Sequence, residues 1–135
     1  MRRGTKLRGG WFRGGAVAVE MAIVTPLLLT VLFGIIEYGW AFSVRQAMVN
    51  AAREGARVAA LQGSTDTDIR SRVSTYLTPM HLSGYETTLT HATQQNPTET
   101  VQVQIPYANV SLVGHFFGEK TGNITGTCSM RKEGM

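Results

Sequence analysis

The chain has 135 residues, a net charge of +4, one cysteine and 16% charged residues. This size suits one small domain, or a short domain with an anchor, and excludes a large multidomain enzyme. A single cysteine excludes an internal disulfide, and no Cys-x-x-Cys or His-x-x-x-His pair is present to hold a structural zinc ion.

The positive charge is concentrated at the N-terminus. Residues 1–15 carry five basic side chains and no acidic one, whereas the rest of the chain carries eight basic and nine acidic side chains. The body of the protein therefore has a net charge of −1, so the basic surplus does not indicate nucleic acid as a partner.

Residues 16–42 form an apolar segment that predicts a single transmembrane helix. Among charged residues, only Glu20 and Glu37 interrupt it. They lie 17 residues apart, or about 25 Å of helix, so each carboxylate can lie near one interface of a bilayer. A buried core helix is the alternative, but the remaining chain has too few apolar segments to surround one. The basic leader at residues 1–15 predicts a cytoplasmic N-terminus and an exported C-terminal part.

The helical pattern continues through residues 43–62, an amphipathic extension of the same helix. Pro26 predicts a bend in the membrane half, and Gly63 predicts the end of the helix. Small residues at four-residue spacing form a row that allows close approach to another helix. This row consists of Ala47, Ala51, Gly55 and Ala59.

Residues 63–135 predict an exported α+β region. A short helix runs from capping residues at 64–66 to Leu77, with four residues at core spacing: Ile69, Val73, Tyr76 and Leu77. Alternating residues around 85–91, 101–107 and 124–130 predict a small antiparallel sheet, and residues 110–117 are ambiguous. This region is too small to be stable unless it packs on the long helix.

The junction between the basic leader and the apolar helix is the most specific motif. Gly15 and Ala16 precede the apolar core, whereas a secretory signal peptide has its small residues after the core. The order resembles the cleavage site of type IV prepilins. That resemblance implies that a prepilin peptidase cuts between these two residues and leaves the apolar helix on the product.

Glu20 is the fifth residue after that cut. The freed α-amino group is largely cationic at neutral pH, and a carboxylate on a neighbouring helix can pair with it in a low dielectric. Glu20 is therefore a candidate assembly residue. The alternative is that Glu20 lies in the headgroup region, and for Glu37 the alternatives are an interfacial position or hydrogen bonds within its own protein.

Residues 14–61 resemble the TadE-like pseudopilins of the Flp/Tad pilus system. The resemblance rests on the glycine-to-glutamate junction, the internal proline, the segment 33–37 and the Ala-Ala-Arg-Glu-Gly-Ala-Arg run at 51–57. It implies a pilin-like α+β fold and a minor structural subunit that primes or supports assembly of an adhesive pilus used in surface colonisation. The C-terminal region does not distinguish a TadE-like from a TadF-like subunit.

The resemblance also implies location and partners. It places the protein in a bacterial inner membrane, with a cytoplasmic N-terminus, a periplasmic C-terminus and incorporation into a surface pilus. The implied partners are the prepilin peptidase, other pilins and the pilus assembly machinery. The alternative function is an uncleaved, single-pass accessory or binding protein of a secretion system.

No residues combine into a catalytic or metal-binding motif. The three histidines, His81, His91 and His115, are dispersed along the chain, and we expect no metal, no cofactor and no enzymatic activity. Cys128 is interpreted as a buried small residue, with a thiol available to another subunit as the alternative.

Overall fold

A computed structural model describes residues 11–114, 118 and 121–134. Most of the predicted leader, residues 1–10, lies outside this range. The elements are α1 (Trp11–Ala59), α2 (Asp66–Leu77), β1 (Glu86–Thr90), β2 (Thr98–Pro106) and β3 (Asn123–Arg131). The predicted α+β class, with one long N-terminal helix, a short helix and an antiparallel sheet, is confirmed.

The chain forms two compact units, residues 1–36 and residues 37–135, here called the N-terminal unit and the head unit. In the N-terminal unit, the side chains of residues 15–32 are exposed. Within the described part of the chain, α1 is the one helix long and apolar enough to cross a membrane, and its apolar 18-residue window has a mean hydropathy of 2.3. Length and composition therefore indicate membrane anchoring.

Helix α1 ends at Ala59, before the glycine that the sequence marks as its stop. Gly63 has φ of +76°, a value that glycine adopts without steric cost. The Ser64 hydroxyl donates to the carbonyl oxygens of Ala59 (3.3 Å) and Leu61 (3.0 Å). The bond to Ala59 satisfies a carbonyl that the helix end leaves without an intrahelical partner.

Helix α2 begins with a capping box. The Asp68 amide donates to the Thr65 hydroxyl oxygen, and the Thr65 amide donates to the Asp68 carboxylate. The buried stripe follows Ile69, Val73 and Leu77 at four-residue steps. Tyr76, predicted on the same face, is 40% exposed because it lies at the edge of that stripe.

The sheet has the order β1-β2-β3, and both pairings are antiparallel. Val101 pairs with Leu89 and Cys128, and Val103 pairs with Thr87 and Gly126. This register places the odd-numbered residues of β2 on one face, which is buried, and the sequence alternation of all three strands is confirmed. Cys128 is a free, partly buried thiol packed against the core.

The core of the head unit joins the C-terminal half of α1 to α2 and the sheet. From α1 it includes Val44, Met48 and Ala52, each with 0% exposure. The approach is close at Gly126, where an added Cβ would overlap the main chain of Met48 and Val49. The sheet therefore packs directly on the long helix, as its small size requires.

Candidate functional site

The predicted cleavage junction lies on the surface of α1. The helix is continuous from Trp11, so Gly15, Ala16 and Glu20 all lie within it, and all three are exposed. A Cβ added to Gly15 would meet nothing within 4 Å. Ala16 and Glu20 are four residues apart and share one helix face. Cleavage and the pairing of Glu20 with a neighbouring N-terminus remain predictions.

Pro26 lies inside the continuous helix and is exposed. Since proline has no N–H, the Ala22 carbonyl loses its intrahelical partner. The Thr30 hydroxyl donates to the Pro26 carbonyl oxygen at 2.8 Å, a local bond one turn further along the helix. Helix α1 continues past the proline.

The small-residue row is buried in the head unit. Ala47, Ala51 and Ala59 are at most 5% exposed, and Gly55 is buried with them. A Cβ on Gly55 would come within 2.8 Å of Val73 Cγ2 on α2 and 3.2 Å of a Val101 methyl on β2. The row therefore allows close packing inside this chain, against its own short helix and sheet.

Glu37 anchors a loop to α1, and it is only 2% exposed. One carboxylate oxygen accepts the main-chain N–H groups of Leu112 and Val113, each at 3.0 Å, and the other accepts the Tyr107 hydroxyl at 3.2 Å. Two successive N–H groups directed at one oxygen form a backbone anion nest. Nearby, the Trp40 indole N–H donates to the Val110 carbonyl at 2.9 Å.

These bonds agree with one of the two interpretations of Glu37 from the sequence. The carboxylate is hydrogen-bonded within its own protein. A buried glutamate needs hydrogen-bond donors, because an unpaired buried charge is costly. The identity of those donors could not be inferred, since Leu112 is 75 residues away in the chain.

Glu99 forms a second buried centre that the sequence did not reveal. It is 2% exposed, and it accepts from Lys132 Nζ at 2.8 Å and contacts His91 Nδ1 at 3.1 Å. Lys132 also donates to the Ala59 carbonyl at 3.3 Å, and His91 Nε2 lies 3.3 Å from Asp66. This group joins β2, the residue after β3 and the end of α1.

The protonation of Glu99 depends on opposing effects. Burial raises the pKa of Glu99. Hydrogen bonds from Lys132, the Ala92 backbone and His91, together with the Lys132 charge, lower this pKa by more than burial raises it. The net result is a pKa below its ordinary value of 4.5, so the carboxylate is charged at neutral pH. Among the described residues, no group of three or more His, Cys, Asp or Glu side chains is arranged to hold a metal ion, and His115 lies outside them.

Comparison with known families supports the resemblance seen in the sequence. Residues 15–57 match the model of a family described as TadE-like protein. The matched segment starts at the predicted cleavage glycine and ends two residues before the end of α1. It therefore covers the junction, the apolar segment and most of the small-residue row. No curated protein sequence and no solved structure gives a significant match.

Proposed function

We propose that this chain, whose residues 15–57 match the TadE-like family, is a minor pilin-like subunit that primes or supports assembly of an adhesive Tad/Flp-type pilus. The family match indicates association with Tad pili. The finer assignment, a pseudopilin cleaved at Gly15 and assembled through its N-terminal helix, is our proposal.

One observation carries this proposal. The N-terminal unit presents apolar side chains around the helix, and the side chains of residues 15–32 are exposed along its whole course. A helix that is apolar all round needs an apolar environment. A membrane provides that environment before assembly, and neighbouring helices provide it within a filament.

The pattern of buried and exposed residues also favours assembly through the N-terminal unit. The small-residue row at positions 47–59 is already covered within the head unit, so it is not free to pack on a neighbour. In the N-terminal unit, Glu20 is the charged residue of the described segment 15–36. It lies one helical turn from the N-terminus that cleavage at Ala16 would create. We assign it the pairing with a neighbouring subunit's amino group.

The orientation follows from the leader. Its five basic residues hold the N-terminus in the cytoplasm, where the peptidase cuts, while the head unit is in the periplasm. Cleavage removes those five charges and leaves a mature subunit without a basic surplus. Its partners are then the prepilin peptidase, the other pilins and the assembly machinery.

Intact-mass measurement separates this proposal from the alternative, an uncleaved accessory protein. In cells with active prepilin peptidase, we expect a mature protein that starts at Ala16. Gly15→Leu should block processing, whereas Gly39→Leu should leave processing unchanged. The two glycines are matched, since an added Cβ meets nothing within 4 Å at either position. Recovery of only the full-length wild-type chain would refute cleavage.

A second experiment tests the assembly residue. Glu20→Gln should leave membrane insertion and head-unit folding intact but strongly reduce the number of pili counted by electron microscopy. Glu86→Gln, at an exposed position of β1, is the control and should leave pili unchanged. Normal pili from the Glu20 variant would remove the charge-pairing role.

A further inference from the structure

The head unit contains an open groove between α1 and the start of β3. Its volume is about 600 Å³, and its lining residues are Tyr38, Ala41, Phe42, Arg45, Asn123, Ile124 and Thr125. One wall carries two exposed aromatic rings, those of Tyr38 (65% exposed) and Phe42 (70% exposed). The opposite wall, from β3, adds an amide and a hydroxyl group.

The depth of this groove follows from the helix rise. With Glu20 and Glu37 at the two interfaces, Tyr38 lies directly beyond the second interface and Phe42 lies about 7 Å beyond it. Arg45 starts about 12 Å beyond that interface, and its side chain leans back toward the headgroup layer. This placement requires only that α1 spans a membrane, and it does not depend on leader cleavage or on pilus assembly.

The side chains that line the groove suit the headgroup layer of a bilayer. No hydrogen bond or ion pair joins Arg45 to another residue of the described ranges. A guanidinium binds phosphate through two parallel N–H donors. Helical side chains lean toward the N-terminus, so Arg45 leans toward Phe42 and the core boundary. Aromatic rings are enriched at this level of a bilayer.

We propose that the groove binds the phosphate headgroup of an anionic phospholipid in the leaflet next to the head unit. Arg45 binds the phosphate, and Asn123 and Thr125 hydrogen-bond to the glycerol or headgroup hydroxyls. Tyr38 and Phe42 cover the upper part of the acyl chains. The head unit is thereby held at the membrane surface by a lipid contact in addition to the transmembrane helix.

Native mass spectrometry of the full-length protein tests the phosphate contact. The protein is purified in mild detergent with phosphatidylglycerol or, separately, with zwitterionic phosphatidylethanolamine. We expect retention of phosphatidylglycerol, and Arg45→Gln should lower the retained fraction about fivefold, the effect of one basic residue near an anionic surface. Arg53→Gln is the matched control, because Arg53 is exposed on the same helix but outside the groove. An unchanged fraction in Arg45→Gln, or an equal loss in the control, would overturn the proposal.

Photo-crosslinking in intact membranes identifies what covers the groove. A photoreactive residue at Phe42 should give lipid adducts, and one at Tyr76, which is exposed on α2, should not. A protein adduct at position 42 in place of lipid would show that another subunit covers the groove and would refute the lipid assignment. Repeating the measurement in the uncleaved Gly15→Leu chain separates the two proposals, since lipid contact there should persist even where pili are absent.

Discussion

Gly126→Ala should weaken the packing of the sheet on α1 more than its single added methyl group suggests. At this position on β3, an added Cβ overlaps main-chain atoms of Met48 and Val49, well inside the 3.0 Å that real Cβ contacts almost never pass. Main-chain atoms of a helix cannot change rotamer to make room. The variant must therefore separate α1 from the sheet by about 1 Å, a gap that forfeits a quarter to a half of each affected dispersion contact.

The expected cost can be bounded from this geometry. Overpacking of a dense core costs about 1–3 kcal/mol, and the absence of an adjustable side chain places Gly126→Ala near about 3 kcal/mol. For a unit of this size, each kcal/mol lowers Tm by about 4–8 °C, so the expected loss is about 12–24 °C. Gly55→Ala meets only the methyl ends of Val73 and Val101. It also gains up to about 1 kcal/mol of helix propensity, so its net effect should be far smaller.

Thermal unfolding of the full-length protein in detergent measures both variants. Trp40 is the natural probe because its indole N–H bonds to Val110 within the head unit. Replacement of Trp11, the other tryptophan in the chain, by Phe leaves Trp40 as the fluorophore. A loss below about 4 °C for Gly126→Ala would refute the close helix–sheet contact.

Three further predictions concern the polar contacts of the head unit. Tyr107→Phe removes one donor to Glu37 and should cost about 1 kcal/mol in chemical unfolding, and an unchanged midpoint would contradict the anchoring role. The pKa of Glu99 is lower in the folded protein, so the unfolded chain binds more protons and stability falls as pH drops below 4.5. Tm measured from pH 7 to pH 3 should show this loss. Glu99→Gln should lower Tm at pH 7 and reduce the dependence of Tm on pH below 4.5; an unaltered dependence would assign the acid loss of stability to other groups. Thr65→Ala should cost about 1 kcal/mol through the lost helix cap, whereas Thr67→Ala should be nearly neutral, and equal Tm losses would disprove the cap.

The elements themselves were predictable because each has its own local period. The three strands alternate between buried and exposed residues, and α2 has a capping signal at Thr65 before a buried stripe. The start of α1 was less predictable. The sequence predicts a boundary at Gly15 because the basic leader gives way there to the apolar segment. The helix nevertheless continues back to Trp11. A peptidase boundary need not coincide with the end of a helix.

The partners of buried residues could not be predicted in the same way. Periodicity indicates that Gly55 and its row face a close neighbour, but it does not show whether that neighbour is another subunit or the chain's own sheet. His91 looks isolated in the sequence and lies between two carboxylates in the structure. Pairings of this kind depend on strand register and loop path, which a local pattern does not contain.

The head unit is held together by contacts between its first and last residues, so it can complete its folding only late in synthesis. Trp40 and Val110 are 70 residues apart, Ala59 and Lys132 are 73 apart, and Glu37 bonds to an amide 76 residues later. Contacts of such long sequence separation form slowly, because loop-closure entropy is lost before they become favourable. During synthesis, the face of α1 around Met48 and Val49, on which Gly126 packs, therefore stays uncovered until β3 has emerged. Any chain that stalls earlier presents an apolar helix face and an unpaired edge of β2, so timely completion of the last strand protects the subunit from aggregation.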